Sequence, residues 1–150
     1  MGPILDKHVR DTFQGIKKWS ASNGHDMNTA LIRHAKDRLL ARIGTSQHAE
    51  DVVLKGGLLM GALLLDIARP TKDIDLVFVE DADETRVMDV LRAAAAQPSA
   101  DPWTYDLENA KVERLAGEEW HAIRVRFEAR MGATRTPMCI DATSGMVGGR

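Results

Sequence analysis

Asp73-Ile74-Asp75-Leu76-Val77-Phe78-Val79 decides the fold, because its residues alternate in character along the chain. In an extended strand Ile74, Leu76 and Phe78 point to one face, and Asp73, Asp75, Val77 and Val79 to the other. One face therefore suits a core, while two carboxylates leave the other side by side. Upstream, Val52-Val53-Leu54 is a short β-branched run that stops at Gly56-Gly57. Leu58 to Ile67 follows as an almost wholly apolar segment, long enough for a buried helix of about three turns. Arg69-Pro70-Thr71 breaks it, since proline disfavours helix in the residue before it.

Further out, residues 4–19 carry a rough apolar stripe (Ile4, Leu5, Val9, Phe13, Ile16) and read as a helix, followed by a loop from Ser20 to Asn28. Thr29 to Ile43 is a clearer helix. Leu31, Ala35, Leu39 and Ile43 recur along one side, with Arg33, Lys36, Asp37 and Arg42 facing elsewhere and Gly44 placed to end it. Asp83 to Ala96 reads as an amphipathic helix capped by Asp83. Gln97 to Pro102 is a turn-rich connection. Ile123, Val125, Phe127 and Ala129 then alternate with Arg124, Arg126, Glu128 and Arg130, the mark of a half-exposed strand, and Thr136 to Thr143 reads as one more. Helices, strand, helix, strand, helix and two or three final strands predict an α/β (α+β) arrangement around a mixed sheet flanked by helices.

Bulk composition narrows the function classes. The 150 residues suit one domain over 1–150, with 1–27 an N-terminal helix and loop. Twenty Lys and Arg against 22 Asp and Glu leave a net charge of -2, which is not the footprint of a surface that grips nucleic acid everywhere. Cys139 is the only cysteine, so no internal disulfide and no cysteine-rich zinc site can form, and the five histidines lack metal-ligand spacing. The longest apolar stretch, Gly56 to Leu65, is too short to span a bilayer. Charges at Asp6, Lys7 and Arg10 leave no signal-peptide pattern, so the expected location is the cytoplasm, with no membrane partner.

The chemistry lies in how three features combine. Two glycines between a strand and a helix let the backbone turn sharply and let a ligand approach, while the helix start offers unpaired N–H groups to a phosphate. Alone, Gly56-Gly57 reads first as a simple turn. Asp73 and Asp75 project together and repel each other unless a cation sits between them. Magnesium meets that need, because it takes oxygen ligands and shares carboxylates with substrate phosphates. An isolated pair of this kind also occurs as solvent-facing acid at a strand start. A two-metal site wants a third acid, and Asp141, in Met138-Cys139-Ile140-Asp141-Ala142, is the candidate, with Ile140 toward the core. Its plain alternative is a strand-end aspartate capping a turn near Ser144-Gly145.

Val53-Leu54-Lys55-Gly56-Gly57-Leu58-Leu59 followed by Arg69-Pro70-Thr71-Lys72-Asp73-Ile74-Asp75-Leu76 resembles the first motif of the AbiEii family of the polymerase-β nucleotidyltransferase superfamily. Ile140-Asp141-Ala142 resembles the family's later strand, which bears its third acid, and the resemblance runs from roughly Asn28 to Gly145. It implies a polymerase-β-like core and transfer of a nucleoside monophosphate from an NTP, with two Mg2+ ions and release of pyrophosphate. It further implies an acceptor such as the 3′ end of tRNA, and a toxin paired with a cognate antitoxin or acting in phage defence. Family members continue into a helical C-terminal region, which this reading expects to be absent beyond Gly148-Gly149-Arg150.

Metal and catalytic roles then fall to Asp73, Asp75 and Asp141, and nucleotide binding to Gly56, Gly57, Lys55, Arg69 and Lys72. Arg69 is the preferred phosphate ligand, because a guanidinium can bind phosphate through two parallel hydrogen bonds. Arg124, Arg126, Arg130 and Arg135 could guide a nucleic-acid backbone, but are read first as the solvated face of an outer strand. Trp103, Tyr105 and Trp120 are read as packing before base stacking, and Cys139 as a small packing residue. Two other functions fit the same motifs. One is an antibiotic-modifying nucleotidyltransferase of the aminoglycoside or lincosamide type; the other is a nucleotide-binding domain without turnover.

Overall fold

The computed structural model describes residues 3–54, 58–59, 73–116 and 121–144; at the margins of these stretches, Asp73 included, it describes the backbone and not the side chain. Among the described residues three helices, α1 (Pro3–Asn23), α2 (Met27–Thr45) and α3 (Glu84–Ala95), accompany six strands. The strands are β1 (Val52–Leu54), β2 (Leu58–Leu59), β3 (Asp73–Phe78), β4 (Thr104–Ala116), β5 (His121–Met131) and β6 (Thr134–Ser144). They form one sheet in the order β2-β1-β3-β6-β5-β4. The pair β3–β6 is parallel and its neighbours are antiparallel, so the sheet is mixed as expected.

Alternation along the strands separates the two faces. Ile74, Leu76 and Phe78 of β3, Ile123, Val125 and Phe127 of β5, and Met138, Ile140 and Ala142 of β6 are buried in one cluster. Leu31, Ala35, Leu39 and Ile43 of α2 and Val87, Val90, Leu91 and Ala94 of α3 belong to that cluster, with Ile16 of α1. The three helices thus cover one face of the sheet. Removing this much apolar surface from water is the main force holding the layers together. The opposite face carries Asp75, Asp141, Arg124 and Arg126, and Asp75 is exposed there.

Helix ends follow the side chains that can satisfy open backbone groups. Asp26 caps α2 by accepting from the Thr29 N–H at 2.7 Å, and Asp83 caps α3 by accepting from the Arg86 N–H at 2.8 Å. The helix expected over 4–19 runs on through Asn23, shortening the expected loop to three residues, and Gly24 at φ 69° ends it. Gly44, expected to end α2, stays inside the helix. Its termination falls to Ser46, whose N–H and hydroxyl both donate to the Ile43 carbonyl, at 3.1 and 2.7 Å.

Three further expectations need correction. Leu58–Leu59, expected to open a helix, instead pairs antiparallel with Val53–Leu54 as β2; the rest of that segment lies outside the described residues. Lys36 and Arg42, expected to face away from the core stripe, are both buried. Arg42 finds its partner in Asp101, reached at 2.6 Å, and donates to the Trp103 carbonyl at 2.8 Å. Finally β5, read as an outer strand, is flanked on both sides; β4 is the outer one, and no clean alternation in the sequence marked its span.

Candidate active site

The parallel pairing of β3 with β6 sets the geometry. Asp73 lies in register with Cys139, Ile74 with Ile140, and Asp75 with Asp141. Neighbouring strands are about 4.8 Å apart, so register partners project side by side from the same face. Asp75 and Asp141 therefore stand together on the face away from the helices, and Asp73 precedes Asp75 on that face by one alternation. Ile74 and Ile140, wedged in the core between these positions, hold the alignment. Two hydrogen bonds tie down the ends of the strands: Ser144 Oγ accepts from the Ala82 N–H at 2.8 Å, and the Val79 N–H donates to the Asp51 carbonyl at 2.9 Å.

Sequence reasoning missed the role of Arg124. Its Nε donates to Oδ1 of Asp141 at 2.7 Å and its Nη2 to Oδ2 at 2.9 Å, a paired fork on a single carboxylate. Both side chains are partly covered, 28% exposed for Arg124 and 18% for Asp141. A signal for this pair was present in the sequence. The two-residue turn at Gly132-Ala133 sets Met131 against Thr134, and counting back along both strands sets Arg124 against Asp141. Two other arginines of the stripe also meet acids. Arg126 reaches Glu113 at 3.2 Å, and Arg130 reaches Asp106 at 3.1 Å and Glu128 at 3.2 Å. They form a cross-strand ladder of alternating charge on an inner strand.

The donor set suits a hard cation. Asp75 and Asp141, on adjacent strands of one face, offer carboxylate oxygens, the ligand type that magnesium prefers. Among the described residues no three His, Cys, Asp or Glu side chains already converge as a metal cluster; Asp73 contributes only its backbone to that description. Asp75 and Asp141 are the two acids whose side chains can be placed, and Arg124 supplies the positive charge beside them. Lys55, Gly56, Gly57, Arg69 and Lys72, expected around the phosphates, lie outside the described residues.

Beside the start of β3, at the border of the sheet's two faces, a cleft of about 600 Å3 opens between the first turns of α2 and the strands β5 and β6. Asn28, Thr29, Arg126, Arg135, Thr136 and Cys139 contribute its polar border. Cys139 shares the face of Asp141 and is half-buried. Trp103 and Tyr105 pack rather than stack on a ligand. Trp103 Nε1 donates to His34 Nδ1 at 2.8 Å, and the Tyr105 hydroxyl donates to the Ala35 carbonyl at 2.8 Å. Burial pushes the Tyr105 hydroxyl well above its ordinary pKa. Trp120 lies outside the described residues. No described helix is long and apolar enough to cross a membrane.

The family model described as "Nucleotidyl transferase AbiEii toxin, Type IV TA system" matches residues 38–148, well over half of the chain. No curated protein and no solved structure matches it.

Proposed function

Because this chain belongs to the AbiEii family of nucleotidyltransferase toxins from type IV toxin–antitoxin systems, we propose that it moves a nucleoside monophosphate from an NTP to a hydroxyl of RNA, with the 3′ end of tRNA as acceptor. The observation that carries this reading is the register of Asp75 with Asp141, which aligns two acids on one open face with Asp73 one alternation away. Asp73, Asp75 and Asp141 would hold the magnesium ions. Bound there, the ions would supply charge neutralisation to the triphosphate and to the attacking oxygen.

The chain's own residues do the rest by positioning, since phosphoryl-type transfer asks little covalent work of a protein. The acceptor oxygen bonds to the α-phosphorus of the NTP, the α–β phosphoanhydride bond breaks, and pyrophosphate leaves with the electron pair. The hydroxyl proton passes to Asp141, whose oxygens keep lone pairs beyond those taken by Arg124. Gly56 and Gly57 would let the backbone approach the triphosphate, with Arg69, Lys72 and Lys55 around its oxygens. The cleft bordered by Arg126 and Arg135 reaches Cys139, the register partner of Asp73, and suits the acceptor strand, whose phosphates those guanidiniums would meet. A cognate antitoxin is the protein partner that the family implies.

Incubation with each labelled NTP, Mg2+ and total tRNA tests the proposal. Label in tRNA supports it, and loss of that label in an Asp73→Ala, Asp75→Ala double variant assigns the acids. Label only on an added aminoglycoside or lincosamide, or nucleotide binding without transfer, refutes it.

A further inference from the structure

The fork between Arg124 and Asp141 is more than a cross-strand contact, given where it sits. It uses both oxygens of the carboxylate that stands beside Asp75, and a guanidinium in that position presents the charge and the directional donors that a bound cation would otherwise answer. Arg126 and Arg130 meet acids on β4 or on their own strand, whereas Arg124 reaches β6, the strand that carries a candidate metal ligand.

We propose that Arg124 is a positioning residue that competes with the divalent cation for Asp141. Before nucleotide arrives, the guanidinium fixes the carboxylate in place and neutralises its charge, so that two adjacent acids are tolerated on one face. A cation that chelates both oxygens of Asp141 must displace those hydrogen bonds, and one held through the remaining lone pairs meets the guanidinium's like charge across the same carboxylate. Nucleotide eases that exchange, because its phosphate oxygens are alternative acceptors for the released N–H groups. Cation and nucleotide therefore bind cooperatively, and an unloaded site holds its cation weakly. This inference rests on the metal roles proposed above for Asp75 and Asp141.

Mn2+ titration followed by its electron paramagnetic resonance signal, on the full chain without nucleotide, tests it directly. Arg124→Gln is expected to bind Mn2+ about tenfold tighter than the parent, the ratio that corresponds to about 1.4 kcal/mol. Saturating non-hydrolysable NTP analogue should shrink that ratio. Arg124→Lys keeps a charge without the fork and should fall between the two; it also serves as the measurement should the Gln variant fail to fold by circular dichroism. Mn2+ affinity unchanged or weakened in a folded Arg124 variant overturns the inference. An Asp75→Asn, Asp141→Asn variant separates that failure from a deeper one. If it still binds Mn2+ as the parent does, the metal roles themselves are wrong; if it loses Mn2+ while the Arg124 variants behave like the parent, only the competition is.

Discussion

Asp75 on β3 and Asp141 on β6 are direct register partners across a parallel strand pair, on the face that the three helices leave uncovered. Each carboxylate is therefore separable from the core. Asp75→Asn and Asp141→Asn should each lower nucleotidyl transfer by about 10³-fold or more, since several kcal/mol of charge stabilisation would be lost. Stability should change by about 1 kcal/mol or less, because neither group packs in the core and partly exposed ion pairs contribute little. Labelled transfer and thermal melting check both halves; a variant retaining about a tenth of the parent activity would remove that residue from the site.

Arg42 and Asp101 form a different kind of pair, at 2.6 Å with side chains only 6% and 7% exposed. Asp101 also accepts from Arg38 at 3.1 Å, from the Trp103 N–H at 2.9 Å and from the Ser99 hydroxyl. Asp101→Asn leaves a buried guanidinium short of its counter-charge, and should cost about 3 kcal/mol in urea unfolding. Burial alone pushes the Asp101 carboxyl up, but hydrogen bonds from Ser99, the Trp103 N–H and Arg42 outweigh it and hold the group below its ordinary value. A depressed folded value means the stabilisation is present above the ordinary 3.8 and is lost as pH falls through the folded value. The loss of stability as pH falls from 3.8 toward the folded value should be shallower in Asp101→Asn than in the parent.

His34 titrates in the opposite charge sense but loses stability in the same direction. Burial depresses its pKa below the ordinary 6.5, with Arg38 and Arg33 adding to the shift and Asp101 opposing it. Its Nδ1 accepts the Trp103 indole N–H, which requires that nitrogen to be unprotonated. Where the unfolded chain binds the extra proton, stability rises with pH. The contribution is therefore complete above 6.5 and declines as pH falls from there toward the folded value. Trp103→Phe should flatten the melting-temperature profile as pH falls below 6.5 and cost about 1 kcal/mol at neutral pH. An unchanged slope would show that the pair does not govern this window.

Gly132 opens the two-residue turn between β5 and β6 at φ 61°. A Cβ built there would stand 3.0 Å from Val9 Cγ1 on α1. Gly132→Ala therefore meets both an unfavourable backbone region and a close neighbour, and should lose about 1–2 kcal/mol. Gly132→Ala in a Val9→Ala background should recover the steric share and retain the backbone share, a separation that denaturant titration of the four proteins can read.

The sequence made the sheet's two-sidedness plain, because Ile74, Leu76 and Phe78 alternate with acids and Ile123, Val125 and Phe127 with arginines. The Asp83 cap and the helix behind it were equally legible, since a carboxylate before an amphipathic run has a direct reason to sit there. Three features were obscured for physical reasons. Strand β4 mixes charged and apolar residues around an irregular register between Asp106 and Lys111, so its period is broken where it should be read. Arg42 looks like a surface residue until Asp101, far along the chain, supplies its counter-charge. Leu58–Leu59 carries no helix or strand signature of its own, and its pairing with Val53–Leu54 decides the matter. At the site, acids could be nominated from local pattern, whereas the guanidinium that meets Asp141 required knowing which strand lies next to which.

The tight turn at Gly132 has a consequence that reaches the far end of its hairpin. Since strand side chains switch sides at every residue, slipping β6 by a single position would send Asp141 into the hydrocarbon interior and push Ile140 out into water. Such a slip carries its own heavy penalty, so interior packing acts as a proofreader for the placement of that acid. A one-residue insertion or deletion between positions 133 and 140 should consequently be far more damaging than most substitutions there, with the protein losing its fold before it could lose its chemistry alone.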